Sequence, residues 1–150
     1  MSKKLFIVES PKKARTLSKI LDNTFTPMAT IGHITHIPPK GMNIDIKGGF
    51  EPSYEIISGK KDVVDKLKKA AKLVDEIFLA TDSDREGEAI SQAVYDLFDK
   101  SSQKKCVRIT FDEITKSAVK TALENPREIN KAVVNSQKAR QVLDRLIGYK

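Results

Sequence analysis

The sequence predicts an α/β fold, a mostly parallel sheet flanked by helices, and three observations predict it. Short apolar runs at Leu5–Glu9, Ile77–Thr81 and Val107–Phe111 read as buried strands. Helical patterns separate them, and strand–helix alternation is the signature of a parallel sheet covered on both faces. The chain has 150 residues, 39% hydrophobic and 31% charged, which suits one compact unit rather than disorder.

Each element has a local reason. After the first strand, Ser10 is a plausible N-cap and Pro11 a good first helical residue. That helix runs to about Leu21, with Ala14, Leu17, Ile20 and Leu21 on one face. Extended segments follow around Pro27–Ile31, Met42–Ile46 and Tyr54–Ile57, punctuated by Gly32, Pro38-Pro39, Gly41 and Gly48-Gly49. Alternation is least clean here. Ser58 or Gly59 opens a second helix through Val64, Leu67, Ala71 and Val74. A helix from about Glu86 to Phe98 buries Ala89, Ile90, Ala93, Val94, Leu97 and Phe98. Ile114–Leu123 is a helix stopped near Pro126. The last runs from about Asn130 to Ile147, with an apolar stripe at Val134, Ala139, Val142, Leu143, Leu146 and Ile147, and Gly148 ends it.

Several function classes are excluded or disfavoured. No apolar run approaches the roughly 18 residues of a membrane span. The run Leu5–Val8 is shorter than the apolar core of about 7–15 residues in a signal peptide. A lone cysteine, Cys106, forms neither an internal disulfide nor a paired-cysteine zinc site, and reads as a small buried hydrophobe. A soluble, cytoplasmic protein is the expectation. The net charge of +7 is uneven: residues 1–99 hold 15 basic and 15 acidic side chains, residues 100–150 hold 12 and 5. A basic C-terminal third suggests a polyanionic partner.

The densest feature is Ala80–Ala89, ATDSDREGEA, which follows a strand and opens a helix. Asp82 and Asp84 are two apart and project to one side of an extended backbone, with Glu86 at the helix start. In a parallel sheet the carboxyl ends of the strands share one edge, where ligands bind, and Glu9 closes a strand there too. Converging carboxylates repel, and a Mg²⁺ ion relieves that repulsion with hard oxygen ligands. Lys13 and Arg85 beside the acids fit a phosphate substrate. The alternative is plainer: acids at a helix start stabilise its dipole, Lys13 is a solvated helix residue, and His33 and His36 are loop or core residues.

FIVESPKKART, ATIGHI, ATDSDREGEAI, ITFDEIT and ARQVLDRLIGYK, in this order and spacing, resemble successive motifs of bacterial-type type IA DNA topoisomerases. The likeness spans essentially the whole chain. The DxDxE pattern alone is shared loosely across the Toprim superfamily; ESPxKA and DRLxGYK are more specific. The resemblance implies a Rossmann-like Toprim fold over residues 1–125. Residues 126–150 would be a helical segment that starts the next domain, which binds single-stranded DNA.

By position, Glu9 matches the family's proton donor or acceptor for the 3′ oxygen and a metal neighbour. Asp82, Asp84 and Glu86 match a Mg²⁺ triad, and Lys13 the lysine near the scissile phosphate; Arg85 is grouped with Glu9 and Lys13 as catalytic. His33 matches a histidine close to bound DNA. Arg140, Asp144 and Tyr149 match single-strand contacts, and Arg108 is counted among the DNA-binding residues. Gln141 stands where many relatives have a second arginine, which weakens one phosphate contact.

The family reaction breaks one strand with a tyrosine, leaving a 5′-phosphotyrosine, then passes a strand and reseals without ATP. Negatively supercoiled DNA is relaxed. Tyr54, Tyr95 and Tyr149 do not match the nucleophile motif, which lies in a later domain of the family. The expectation is therefore a monomeric N-terminal fragment, inactive alone, with Mg²⁺ as cofactor and DNA as partner, cytoplasmic and nucleoid-associated if bacterial. The rivals are a Toprim primase or nuclease, and a non-enzymatic single-stranded-DNA-binding module.

Overall fold

The computed structural model describes residues 3–38, 43–45 and 51–148. Four parallel strands form the central sheet in the order β2-β1-β7-β8. These are β1 (Lys4–Val8), β2 (Phe25–Ala29), β7 (Glu76–Leu79) and β8 (Cys106–Arg108). Two small antiparallel ladders stand apart from it: β3 (Thr35–His36) with β6 (Glu55–Ile56), and β4 (Ile44–Asp45) with β5 (Glu51–Pro52). The helices are α1 (Pro11–Ile20), α2 (Lys61–Leu73), α3 (Arg85–Leu97), the short α4 (Lys100–Gln103), α5 (Lys116–Glu124) and α6 (Lys131–Gly148).

Side-chain alternation along β1 splits the core in two, because successive residues of a strand face opposite sides. Leu5 and Ile7 pack with Ile77, Leu79, Val64, Leu67, Ala71, Val94 and Phe98, under α2 and α3. Phe6 and Val8 pack with Phe78, Ala80, Leu17, Ile109, Val119 and Ala122, under α1 and α5. A strand buried on both faces needs an unbroken apolar run, and LFIV is one. Phe6 centres an aromatic group, with ring centroids 6.0 Å from Phe25, 6.0 Å from Phe78 and 6.2 Å from Phe111. Among the described residues no helix is long and apolar enough to cross a membrane.

Sequence and structure differ at identifiable points. The second strand is Phe25–Ala29 rather than Pro27–Ile31. Ile31 and Gly32 take positive φ values of 58° and 78°, which turn the chain out of the sheet. Left-handed backbone at a β-branched residue costs about 1–3 kcal/mol, and Lys60 Nζ donates to the Ile31 carbonyl there. Helix α2 begins at Lys61, its N-cap Lys60 making no side-chain cap bond. Strand β8 ends at Arg108, not Phe111. Helix α4 was not anticipated; Asp99 caps it, accepting from the Ser102 N–H. In α6 the stripe is only partly covered: Val142 is buried, while Leu143 and Ile147 are 55% and 67% exposed. The segment expected around Met42–Ile46 is described only at residues 43–45; Pro39, Gly41, Gly48-Gly49 and Tyr149 lie outside the described residues.

Candidate active site

The site lies at the carboxyl edge of the sheet. β1 and β7 are adjacent and parallel, with Ile7 beside Leu79, so the residues that follow them emerge together. Glu9 follows β1, and its Oε2 accepts from the backbone N–H of Asp82 at 2.6 Å. Lys13 lies one turn into α1, because Ser10 caps that helix by accepting from the Lys13 N–H. Its Nζ donates to Glu9 Oε1 at 2.7 Å and also to Asp82 Oδ1. The Lys13 ammonium is thus shared by two carboxylates from different strands. Burial pulls its pKa down, but the hydrogen bonds and charges of Asp82 and Glu9 outweigh that and hold it above the ordinary lysine value.

The backbone of Glu9 is fixed as well, its carbonyl accepting from the Gly32 N–H at 2.8 Å. The left-handed turn at Ile31-Gly32 thereby leads His33 to the same end of the sheet.

Beyond Asp82 the chain closes a tight loop into α3. Asp84 Oδ1 accepts from the Gly87 N–H at 2.7 Å and caps the helix. Arg85 and Glu86 are exposed in the first turn. Gly87 lies hard against the loop: a Cβ there would stand 1.9 Å from the Asp82 carbonyl oxygen. Thr81 Oγ1 donates to the Gly87 carbonyl at 2.6 Å, and a 2.6 Å hydroxyl contact joins Thr81 to Ser91.

Glu9, Lys13 and Asp82 are therefore brought together, with Asp84 and Glu86 on the loop that follows. Among the described residues no three His, Cys, Asp or Glu side chains are arranged to hold a metal ion. Lys13 lies between the first two acids, and Asp84 spends one oxygen on its helix cap. The donor chemistry still fits a hard cation, since Asp82, Asp84 and Glu86 offer carboxylate oxygens on exposed residues.

Arg108 corrects the sequence reading. It is not a surface cation for DNA but a buried one, with a side chain 0% exposed and paired to Glu88 at 1%. Its Nε and Nη2 donate to Glu88 Oε1 at 3.1 and 3.0 Å. Arg127 Nη2 donates to the same oxygen, and Glu88 Oε2 accepts from the Asn130 N–H at 3.0 Å. Desolvation drives the Glu88 carboxyl upward, yet Arg127, Arg108 and the Asn130 N–H together hold it below the ordinary glutamate value. Burial likewise lowers the Arg108 pKa against the pull of Glu88. Glu88 lies within the acidic Ala80–Ala89 stretch, and no local signal in the sequence distinguishes it from its neighbours as the partner of Arg108.

The expected DNA contacts divide. His33 and Gln141 line one cleft of about 460 Å³ between α3, α6 and the β3–β6 ladder, with Tyr54, Gln92, Lys131 and Lys138. Tyr54 Oη donates to Gln141 Oε1 at 2.8 Å. Arg140 and Asp144 are exposed on α6.

The chain belongs to the Toprim domain family, which it matches over residues 4–114, a span that holds the parallel sheet and the Glu9–Lys13–Asp82 cluster. It is 44% identical, over 171 aligned positions, to DNA topoisomerase 1 of Mycoplasma pneumoniae, covering 100% of this chain and 24% of that protein. It also superposes on the structure of full-length topoisomerase I from Thermotoga maritima with a TM-score of 0.86 and 41% identity, covering 97% of this chain and 24% of that one. The chain thus spans about a quarter of the length of these relatives.

Proposed function

We propose that this chain supplies the acid and metal half of the site with which a type IA DNA topoisomerase breaks and reseals one DNA strand. The observation that carries this is the Glu9–Lys13–Asp82 cluster: two acids from adjacent parallel strands share one ammonium at the ligand-binding edge. In cleavage a tyrosine oxygen bonds to phosphorus as its hydroxyl proton passes to solvent, and the bond from phosphorus to the 3′ oxygen breaks. Glu9 is the group that passes a proton to that departing oxygen and takes it back on resealing. Lys13 orients Glu9 and faces the phosphate, and exposed Arg85 adds a second cation at the same loop.

Asp82, Asp84 and Glu86 would hold a divalent ion, Mg²⁺ by the hardness of its ligands. When bound, that ion neutralises phosphate charge. The cleft with His33 and Gln141, and exposed Arg140 and Asp144 on α6, serve single-stranded DNA, together with Tyr149 of the same sequence motif. Residues 1–125 form the Toprim domain and residues 126–150 begin the DNA-binding one. The substrate is negatively supercoiled DNA, and the setting is the cytoplasm, at the nucleoid in a bacterium. This unit works as a monomer.

The test is a gel assay for a covalent protein–DNA adduct. This chain with Mg²⁺ and single-stranded DNA should give none, because none of Tyr54, Tyr95 and Tyr149 matches the nucleophile motif. Joining it to the downstream region of a relative should produce an adduct that Glu9→Gln abolishes. An adduct formed by this chain alone, and lost in Tyr54→Phe, Tyr95→Phe or Tyr149→Phe, would overturn the reading.

A further inference from the structure

Beneath the acidic loop lies a charged group that the proposed chemistry does not use. Arg108 closes β8, and its guanidinium turns under the end of β7. Nη1 donates to the carbonyls of Leu79 at 3.0 Å, Thr81 at 2.6 Å and Ile109 at 2.9 Å. Nη2 donates to the Asp82 carbonyl at 2.5 Å. Four carbonyls thus converge on one cation, three of them along the chain that leads into the acids. The Asp82 carbonyl is clasped from two sides, by Arg108 and by the bare Cα of Gly87. The peptide N–H of Asp82 then points at Glu9.

We infer that Arg108 is a positioning residue: its buried fork sets the backbone of Thr81 and Asp82 so that Asp82 meets Glu9 and Lys13, and Glu88 ties the same fork to the start of α6. The second half follows from Glu88, which accepts from Arg108 on one side and from Arg127 and the Asn130 N–H on the other. Asn130 in turn caps α6, its Oδ1 accepting from the Val133 N–H at 3.2 Å. One buried carboxylate therefore joins the acidic loop to the helix that carries Arg140 and Gln141. A lysine has neither the planar fork nor enough donors to replace this arginine. The inference rests on the proposed metal-binding role of the acidic loop for its effect on function, but not for its geometry.

The experiment uses this chain in three forms: wild type, Arg108→Lys, and the double variant Arg108→Met with Glu88→Met. The double variant removes both buried charges at once, which avoids stranding one of them. Amide hydrogen exchange is read at Asp82 and at the core strand Leu5–Val8, and Mg²⁺ is titrated against the acidic-loop amides. Positioning predicts that Asp82 exchange quickens by roughly tenfold or more while the core stays protected, and that Mg²⁺ affinity falls by roughly 10–100-fold, as for other residues that support metal ligands. Exchange at Asp82 that changes only in step with the core, with Mg²⁺ affinity of the folded protein unchanged, would overturn it. Should Arg108→Lys not fold, the double variant decides by the same two readings. If wild type itself ignores Mg²⁺, the metal reading fails, and exchange at Asp82 still decides the positioning role.

Discussion

The backbone N–H of Asp82 donates to the carboxylate of Glu9 at 2.6 Å, although 73 residues separate them. Two strand ends meet here because β1 and β7 are neighbours in register, and Lys13 sets its ammonium between the two acids. The raised pKa of Lys13 has a consequence with a definite sign. Its ion pairs contribute fully below the ordinary lysine value and are lost as pH rises through the raised one. Alkaline titration of wild type should therefore loosen the Glu9–Asp82 contact, and Lys13→Met should remove that alkaline limb. The Asp82 amide chemical shift followed against pH reads it directly.

Glu88 should dominate the acid limb. Its carboxyl is held below the ordinary value, so the stability it confers is present above that value and is lost as pH falls through the depressed one. Glu88→Gln strands the Arg108 charge in the interior, at a cost of about 3–5 kcal/mol. Denaturant melts from neutral to acid pH should show a less stable variant with a flatter pH dependence. Part of the slope survives through Asp22, held low by Thr24, and Asp99, held low by the Ser102 N–H.

How much of this was legible depended on the kind of signal each residue carries. Strand β1 and helix α1 were readable from LFIV, Ser10 and Pro11, because burial on both faces and N-capping leave local marks. Glu9 and Asp82 were readable as partners, because both close strands of one parallel sheet. Arg108 and Glu88 were not. Charged residues usually face solvent, so a buried pair 20 residues apart shows only once β8 and α3 are packed together. The shift of β2 was hidden in the same way, since nothing in the sequence marks Ile31 for left-handed backbone. The exposed Leu143 and Ile147 look like core residues in the helical pattern and are not covered among the described residues.

Gly87 is required by space rather than by backbone freedom. A methyl group there would meet the Asp82 carbonyl oxygen at 1.9 Å, and that oxygen belongs to backbone. Gly87→Ala should destabilise the chain by about 1–3 kcal/mol or more, the usual range for overpacking. It should also weaken Mg²⁺ binding in the protein that remains folded. Thermal melts together with an Mg²⁺ titration separate the two effects.

Cys106 should be inert toward alkylation. Burial pushes its thiol up to about 12, with Lys105 opposing weakly, so almost no thiolate exists at neutral pH. Iodoacetamide labelling of the native chain should be slow and should rise to the rate of a free thiol in denaturant. Rapid labelling without denaturant would show that the β8 edge opens.

Arg140 stands exposed on α6, in the basic third of the chain. Arg140→Ala should weaken single-stranded DNA binding and lower the salt slope by about one unit or less. Fluorescence anisotropy over a range of salt concentrations measures both, and unchanged values would remove Arg140 from the interface.

The most direct measurement of the central claim is paramagnetic line broadening in the ¹H–¹⁵N spectrum of this chain with substoichiometric Mn²⁺, a hard cation of the same ligand class as Mg²⁺. The amides of Glu9 and of Asp82 through Glu86 should broaden first, Mg²⁺ should compete the effect away, and Asp82→Asn should abolish it. Broadening spread over other exposed acids such as Asp62 and Asp65, or absent from the Glu9–Asp82 edge, would contradict the account.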